Sequence, residues 1–241
     1  VEEMKEQGTF VGFDFESIWE MSAGNSYPLP TLQKLPYTDE KEENTIEFLG
    51  GTGTPYNPYL ISTKEHLNNV RKHLDAHFKM VADIEFADAD FAEGGKFYNG
   101  GQGWEPIVSN STSAFTGVFD GNGHTIKGLY IDIPSSASDV YAGSVYAGLF
   151  GYNKGTIRNL GILDSDVSSS SYAYIGGIAG RNDGTISECY NTGSVSGSDY
   201  DAGGIAGYNY YGTISECYNT GSVFSYDCAG GIAGYNYYGT I

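Results

Sequence analysis

From residue 176 to its last residue, the chain states one phrase three times. GGIAG begins at Gly176, Gly203 and Gly230, a period of 27 residues, and GTISECYNTGSV fills residues 184–195 and again 212–223. Two looser copies precede them, TGVFD from Thr116 and AGLFG from Ala147, and stretch the spacing to 31 and 29 residues. A unit of this size cannot bury a hydrophobic face alone, so the copies must stack into an array with a continuous core.

Within a copy, β-branched Ile, Thr and Val alternate with Gly and Asn, and no apolar stripe of helical period occurs. Branched residues suit pleated strands, while Gly and Asn tolerate the positive φ of tight corners. Three short strands and three corners per copy predict an all-β fold, a right-handed parallel β-helix (solenoid) of 27–31-residue coils with an N-terminal capping α-helix. Each strand would pair with its equivalent one coil away, at ~4.8 Å. One core column is expected to hold Ile126, Ile157, Ile186, Ile214 and Ile241, and the next Leu129, Leu160, Cys189 and Cys217. Ile178, Ile205 and Ile232 would stack under Leu149 and Val118, giving a dry aliphatic axis.

AGLFG, GGIAG, GTISECYNTGSV and FDGNGHTI resemble the bacterial GLUG repeat, over roughly residues 53–241. Residues 53–86 are similar to the segment that precedes such repeats, and residues 1–35, with Trp19 and Tyr27-Pro28, to one that follows them. The resemblance implies a secreted or surface-displayed, adhesin-like scaffold with no catalytic residues in the repeat. Such repeats also occur beside immunoglobulin-A-specific metallopeptidase domains, whose zinc motif has no counterpart in this sequence.

Thirty acidic residues against 12 basic ones leave a formal charge of −18, which argues against nucleic acid and anionic membrane as partners. From Gly161 onward Arg181 is the only basic residue, against eight acidic ones, so the regular coils cannot assemble a basic groove. The longest weakly apolar stretch, residues 140–152, has 13 residues, short of the ~20 that span a bilayer. The polar opening VEEMKEQ is no signal peptide, and Gly239, Thr240 and Ile241 fall inside a repeat. The expectation is a piece of a longer array, extracellular or at the cell surface. Three cysteines are too few for a disulfide scaffold. Cys189 and Cys217 share a core column and are expected as buried thiols, because ladder geometry disfavours the disulfide dihedral.

Four segments follow. Residues 1–35 read as the tail of a preceding module or a packing segment, with a helical turn over 1–7 and a strand over 9–15. Residues 36–52, around the charged run PYTDEKEEN, read as a linker, residues 53–114 as the cap, and residues 115–241 as the repeats, truncated at the C-terminus. In the cap, Ser62 or Thr63 would start a helix over residues 64–76, with Leu67, Val70 and Leu74 on its apolar side. Such a helix would cover the unpaired strand edges at the end of a solenoid. Residues 78–86 alternate as a strand with Phe78, Met80, Ala82, Ile84 and Phe86 on one face, and residues 91–104 read as a Gly-rich loop.

The polar candidates each have a simpler role. His66, His73 and His77 share one flank of the helix, but HLDAH places Leu where a zinc protease needs Glu, so a solvated flank is favoured. His124 reads as a corner residue. Asp164 with Asp166, Asp199 with Asp201, or the group Asp83, Asp88 and Asp90 could serve a polysaccharide-cleaving β-helix, whose inverting form needs carboxyls ~6.5–9.5 Å apart. Loop acids more often only solubilise. Asp199, Asp201 and Asp227 are weak calcium candidates if their loops stack, although GGxGxD is absent, and no other cofactor is expected. Tyr208, Tyr210 and Tyr211 recur as Tyr235, Tyr237 and Tyr238, and Tyr190 recurs as Tyr218. Columns of these rings form a possible ligand face for a glycan or protein of a host or bacterial surface; the favoured alternative is that they stack on one another at a corner. A Thr column, Thr125, Thr156, Thr185, Thr213 and Thr240, lacks the paired T-x-T rows of an ice-binding face. Together these point to a non-catalytic scaffold whose neighbours in the parent array are further partners, with a carbohydrate-binding or polysaccharide-cleaving β-helix as the alternative.

Overall fold

The structure, a computed structural model, describes residues 47–109, 111–134, 145–199 and 201–241, together with Trp19–Glu20 and Leu29–Pro30. The chain forms two compact units, residues 1–45 and 46–241. In the first, Trp19–Glu20 pairs antiparallel with Leu29–Pro30. The turn and strand expected over residues 1–7 and 9–15 lie outside the described residues.

The second unit is a parallel β-solenoid. One ladder runs through Tyr59–Ile61, His77–Met80, Val118–Asp120, Thr156–Arg158, Thr185–Ser187 and Thr213–Ser215. A second joins Ile84–Glu85, Thr125–Lys127, Gly161–Leu163, Tyr190–Asn191 and Tyr218–Asn219, and a third joins Phe150–Asn153, Ala179–Asn182, Ala206–Tyr210 and Ala233–Tyr237. The long strand Asp166–Gly176 turns a corner: its first half pairs with Tyr130–Ile133 and Ser194–Asp199, its second with Val145–Ala147 and Asp201–Gly203. The ladders thus reach back to Tyr59, ahead of residue 115.

A coil carries five short strands where three were expected, as in Ala179–Asn182, Thr185–Ser187, Tyr190–Asn191, Ser194–Asp199 and Asp201–Gly203. TISECY is split by a left-handed residue, Glu188, with φ of 53°, and the variable segment is itself strand. Glu216 and Asn159 hold the same corner in the neighbouring coils, with φ of 53° and 52°. The repeated asparagines Asn153, Asn182, Asn209 and Asn236 have a different task from the one their residue type suggested. They lie in strands and their side chains form a ladder, each Nδ2 donating to the next Oδ1 at 2.7, 2.8 and 2.8 Å. Each also closes its own corner, as where Gly184 N donates to Asn182 Oδ1 at 3.3 Å. Asn191 and Asn219 make a second, shorter ladder at 3.0 Å.

In-register pairing stacks Ile157, Ile186 and Ile214 as expected, with Thr240 bridging Thr213 so that Ile241 follows. The upstream members of the columns differ. Ile157 lies over Phe119 and Phe78, not Ile126, while Ile126 lies between Ile84 and Ile162. TGVFD is therefore equivalent to GTIR and not to AGLFG, which also removes Val118 from beneath Leu149 and places Thr156 over Val118 instead of Thr125. Leu160 does precede Cys189, because Gly161 pairs with Tyr190, but Leu129 belongs beside Tyr130 in another ladder. The axis is accordingly aliphatic only in the later coils. Near the cap Phe78, Phe115, Phe119 and Phe150 fill it, with centroids 4.9–6.4 Å apart. These side chains are almost wholly buried, and each is worth about 1.5–3 kcal/mol in burial. Gly207 lets the coil close this tightly, since a Cβ there would lie 2.4 Å from Ile175 N.

The cap helix is Lys64–Asn69, followed by a 3-10 turn, Val70–Lys72, and is shorter than the expected 64–76. Thr63 Oγ1 accepts from His66 N at 3.2 Å, and Leu67 and Val70 are buried. The helix stops because the chain must extend at His77 to pair with Val118. Residues 78–86 form two strands, His77–Met80 and Ile84–Glu85, that belong to different ladders. Phe48, at the end of the expected linker, stacks on Tyr59 at 4.3 Å and is buried. The expected loop over 91–104 ends in Trp104, 1% exposed, whose Nε1 donates to Leu149 O at 3.2 Å. Among the described residues no helix is long and apolar enough to cross a membrane.

Candidate functional site

The third ladder carries an aromatic face. Its outward column reads Tyr152, Arg181, Tyr208, Tyr235, because Arg181 occupies the place that tyrosine holds in the other coils. The flat guanidinium lies 4.9 Å from the Tyr152 ring centre, 5.6 Å from that of Tyr208 and 4.6 Å from that of Tyr210, a cation–π arrangement. Asp183 fixes it through two bonds, at 2.6 Å to Nε and 2.9 Å to Nη2, and accepts from Tyr152 Oη at 2.6 Å. Burial opposes the charge on Arg181, but the bonds to Asp183 outweigh it and raise its pKa. Burial, then Tyr174, pushes the Tyr208 phenol up to about 12, so it stays a neutral donor.

Beside that column Tyr210 stacks on Tyr237 at 5.4 Å and 4°, and Tyr211 on Tyr238 at 5.3 Å and 20°. Tyr208 stacks on Tyr235 at 5.6 Å and on Tyr174 at 4.9 Å, and Tyr174 continues to Tyr146 at 6.0 Å. Six of the eight candidate tyrosines thus share one face. Tyr190 and Tyr218, stacked at 4.9 Å and 1°, belong to the second ladder and form a separate pair. The rings do stack on one another, yet Tyr211 remains 59% exposed and Tyr238 73%.

Of the acidic candidates, Asp83 accepts from Thr125 N at 2.8 Å and from His124 at 3.2 Å, and Asp90 accepts from Ala87 N at 2.7 Å and pairs with Lys64. Asp88, Asp164 and Asp166 line an open cleft of about 420 Å³ with Phe91 and Tyr130. His66 is buried beside Ser62, His73 packs on Tyr59 at 5.2 Å, and His77 starts a strand, so they do not share a solvated flank. The side chain of Asp199 lies outside the described residues. Asp201 and Asp227 do converge, and Cys228 joins them: one ligand atom of each lies within 4.8 Å of the others. Cys189, Cys217 and Cys228 are free thiols. The hydrogen bond with Cys217, then burial, raises the Cys189 pKa, which keeps that thiol unreactive.

The family described as the GLUG motif matches residues 171–196 and 198–223. The chain carries GLUG repeats. Over 155 residues it is 35% identical to a protein of Evansella cellulosilytica provisionally named a Gly-rich membrane protein, covering 62% of this chain and 16% of that one. Halomucin of Haloquadratum walsbyi is 34% identical over 174 residues, covering 71% of this chain and 2% of its own length. The chain therefore spans a small part of either relative. A crystal structure from Bacteroides ovatus, provisionally called an immunoglobulin A1 protease, superposes with a TM-score of 0.56 at 25% identity, over 79% of this chain and 65% of that one.

The two matched GLUG repeats contain Arg181 and Tyr208 at the same ladder position, so the aromatic column is built on the repeat itself. Tyr146 and Tyr152, which extend the aromatic face, come from the less regular upstream copies, and Tyr174 opens the first matched repeat; only the register brings them together. For Arg181 a signal was present: GIAGRN stands where the next two GLUG copies read GIAGYN.

Proposed function

We propose that this segment is a non-catalytic scaffold within a surface-displayed bacterial repeat protein, and that its tyrosine face binds glycan. The carrying observation is the set of in-register rings Tyr208, Tyr210, Tyr211, Tyr235, Tyr237 and Tyr238 around a clamped Arg181. Flat, preordered rings present apolar faces suited to the C–H surfaces of a pyranose at little entropic cost. A net charge of −18 favours neutral sugars over acidic ones. The names of the two relatives, a Gly-rich membrane protein and a halomucin, agree with display at a surface.

Binding on a glycan array tests the reading. Tyr211→Ala with Tyr238→Ala should reduce the signal at least tenfold, whereas Tyr190→Ala, on another ladder, should leave it unchanged. Undiminished binding in the double variant sinks the proposal. The cleft beside Tyr130 supports a second reading, cleavage of polysaccharide by Asp164 and Asp166. Release of sugar from the bound glycans, lost in Asp166→Asn, would favour it.

A further inference from the structure

We propose that Asp201, Asp227 and Cys228 form a binding site for one divalent transition-metal ion of the zinc type, held between two successive coils. Two carboxylate oxygens and the Cys228 Sγ lie within 4.8 Å of one another. Pairing of Asp201–Gly203 with Cys228–Gly230 places Cys228 in register with Asp201, and the preceding residue brings Asp227 alongside. The two coils are identical in sequence from Ala202 to Ile214 against Ala229 to Ile241, and differ at the residue before, Asp201 against Cys228.

A second observation is the state of Asp201. The residue is 7% exposed, and among the described residues its carboxylate has no hydrogen-bond donor outside the cluster. No cation of these coils is available to it: Arg181 is the only basic residue after Gly161, and it is engaged by Asp183 and Tyr146. A carboxylate removed from water must keep its proton or take a cation.

The donor set decides between metals. Calcium takes six to eight oxygens and has no use for sulfur, whereas a thiolate with two carboxylates and a water completes a four-coordinate zinc site. Bonds of about 2.0–2.3 Å set the ligand atoms of a tetrahedral site about 3.3–3.8 Å apart, a spacing these side chains can adopt because Asp227 is exposed and Cys228 partly so. Binding releases the Cys228 proton to solvent and ties two coils together.

The test uses the purified chain with Co²⁺, Zn²⁺ and Ca²⁺. Co²⁺ should produce a thiolate-to-metal charge-transfer band that Zn²⁺ displaces and Ca²⁺ does not. Zn²⁺ should raise the melting temperature by several degrees. Cys228→Ser should abolish the band, and Asp201→Asn should weaken Zn²⁺ at least tenfold. In the unsubstituted chain, Zn²⁺ should slow alkylation of Cys228, followed by mass spectrometry, at least tenfold. A band that survives in Cys228→Ser, displacement by Ca²⁺, or an unprotected Cys228 would overturn the proposal.

Discussion

Glu188 and Glu216 turn the chain with φ of 53°, a conformation that costs an L-residue about 1–2 kcal/mol. Glu188 is exposed and caps nothing among the described contacts, so its side chain offers little in return. Glu188→Gly should remove the left-handed cost and recover about 0.5–1 kcal/mol after the larger entropy of an unfolded glycine is subtracted. A higher urea midpoint checks this; a lower one would mean that the corner is not strained. The corner was hidden in the sequence, because TISECY reads there as one unbroken strand. Residue type pointed to Asn and Gly, whereas stacking of the coils imposes positive φ on whichever residue stands there.

The element that locks successive coils is the asparagine ladder. Asn182 is fully buried, accepts from Asn153 and donates to Asn209. Asn182→Ala strands both neighbours and the Gly184 amide away from water, at about 1–3 kcal/mol for each buried group left unpaired. The expected loss is at least about 3 kcal/mol in chemical unfolding, and a loss under about 1 kcal/mol would show that the amides carry little. The asparagine after GIAG and one variable residue recurs visibly in every late copy, yet its role was hidden because a buried Asn and a corner Asn look alike until the register is known. The aromatic face follows the same logic. Its six principal tyrosines were legible by recurrence, but Arg181 as their centre required knowing that it sits in the tyrosine column.

At the scale of the molecule, the 27-residue period is a unit that can be removed. Deleting residues 203–229 joins Ala202 to Gly230 and reproduces the original junction with GGIAGYNYYGTI. The shortened chain should still unfold cooperatively, with a calorimetric enthalpy lower by about 19 kcal/mol at ~0.7 kcal/mol per residue. Removal of half a coil, residues 203–216, should instead abolish the transition, because it sets strands of different ladders against each other. If both deletions fold equally well, stacking in register is not what holds the array. The repeat by itself determined the parallel solenoid and the late Ile column, because a period with matching apolar positions has only one way to bury them. Tertiary structure alone decided the register of the irregular first coils, where TGVFD lies under GTIR, and the aromatic filling near the cap. It also decided the meeting of Asp201, Asp227 and Cys228. These depend on which strand lies over which, and a sequence whose copies have drifted in length and residue type no longer carries that alignment.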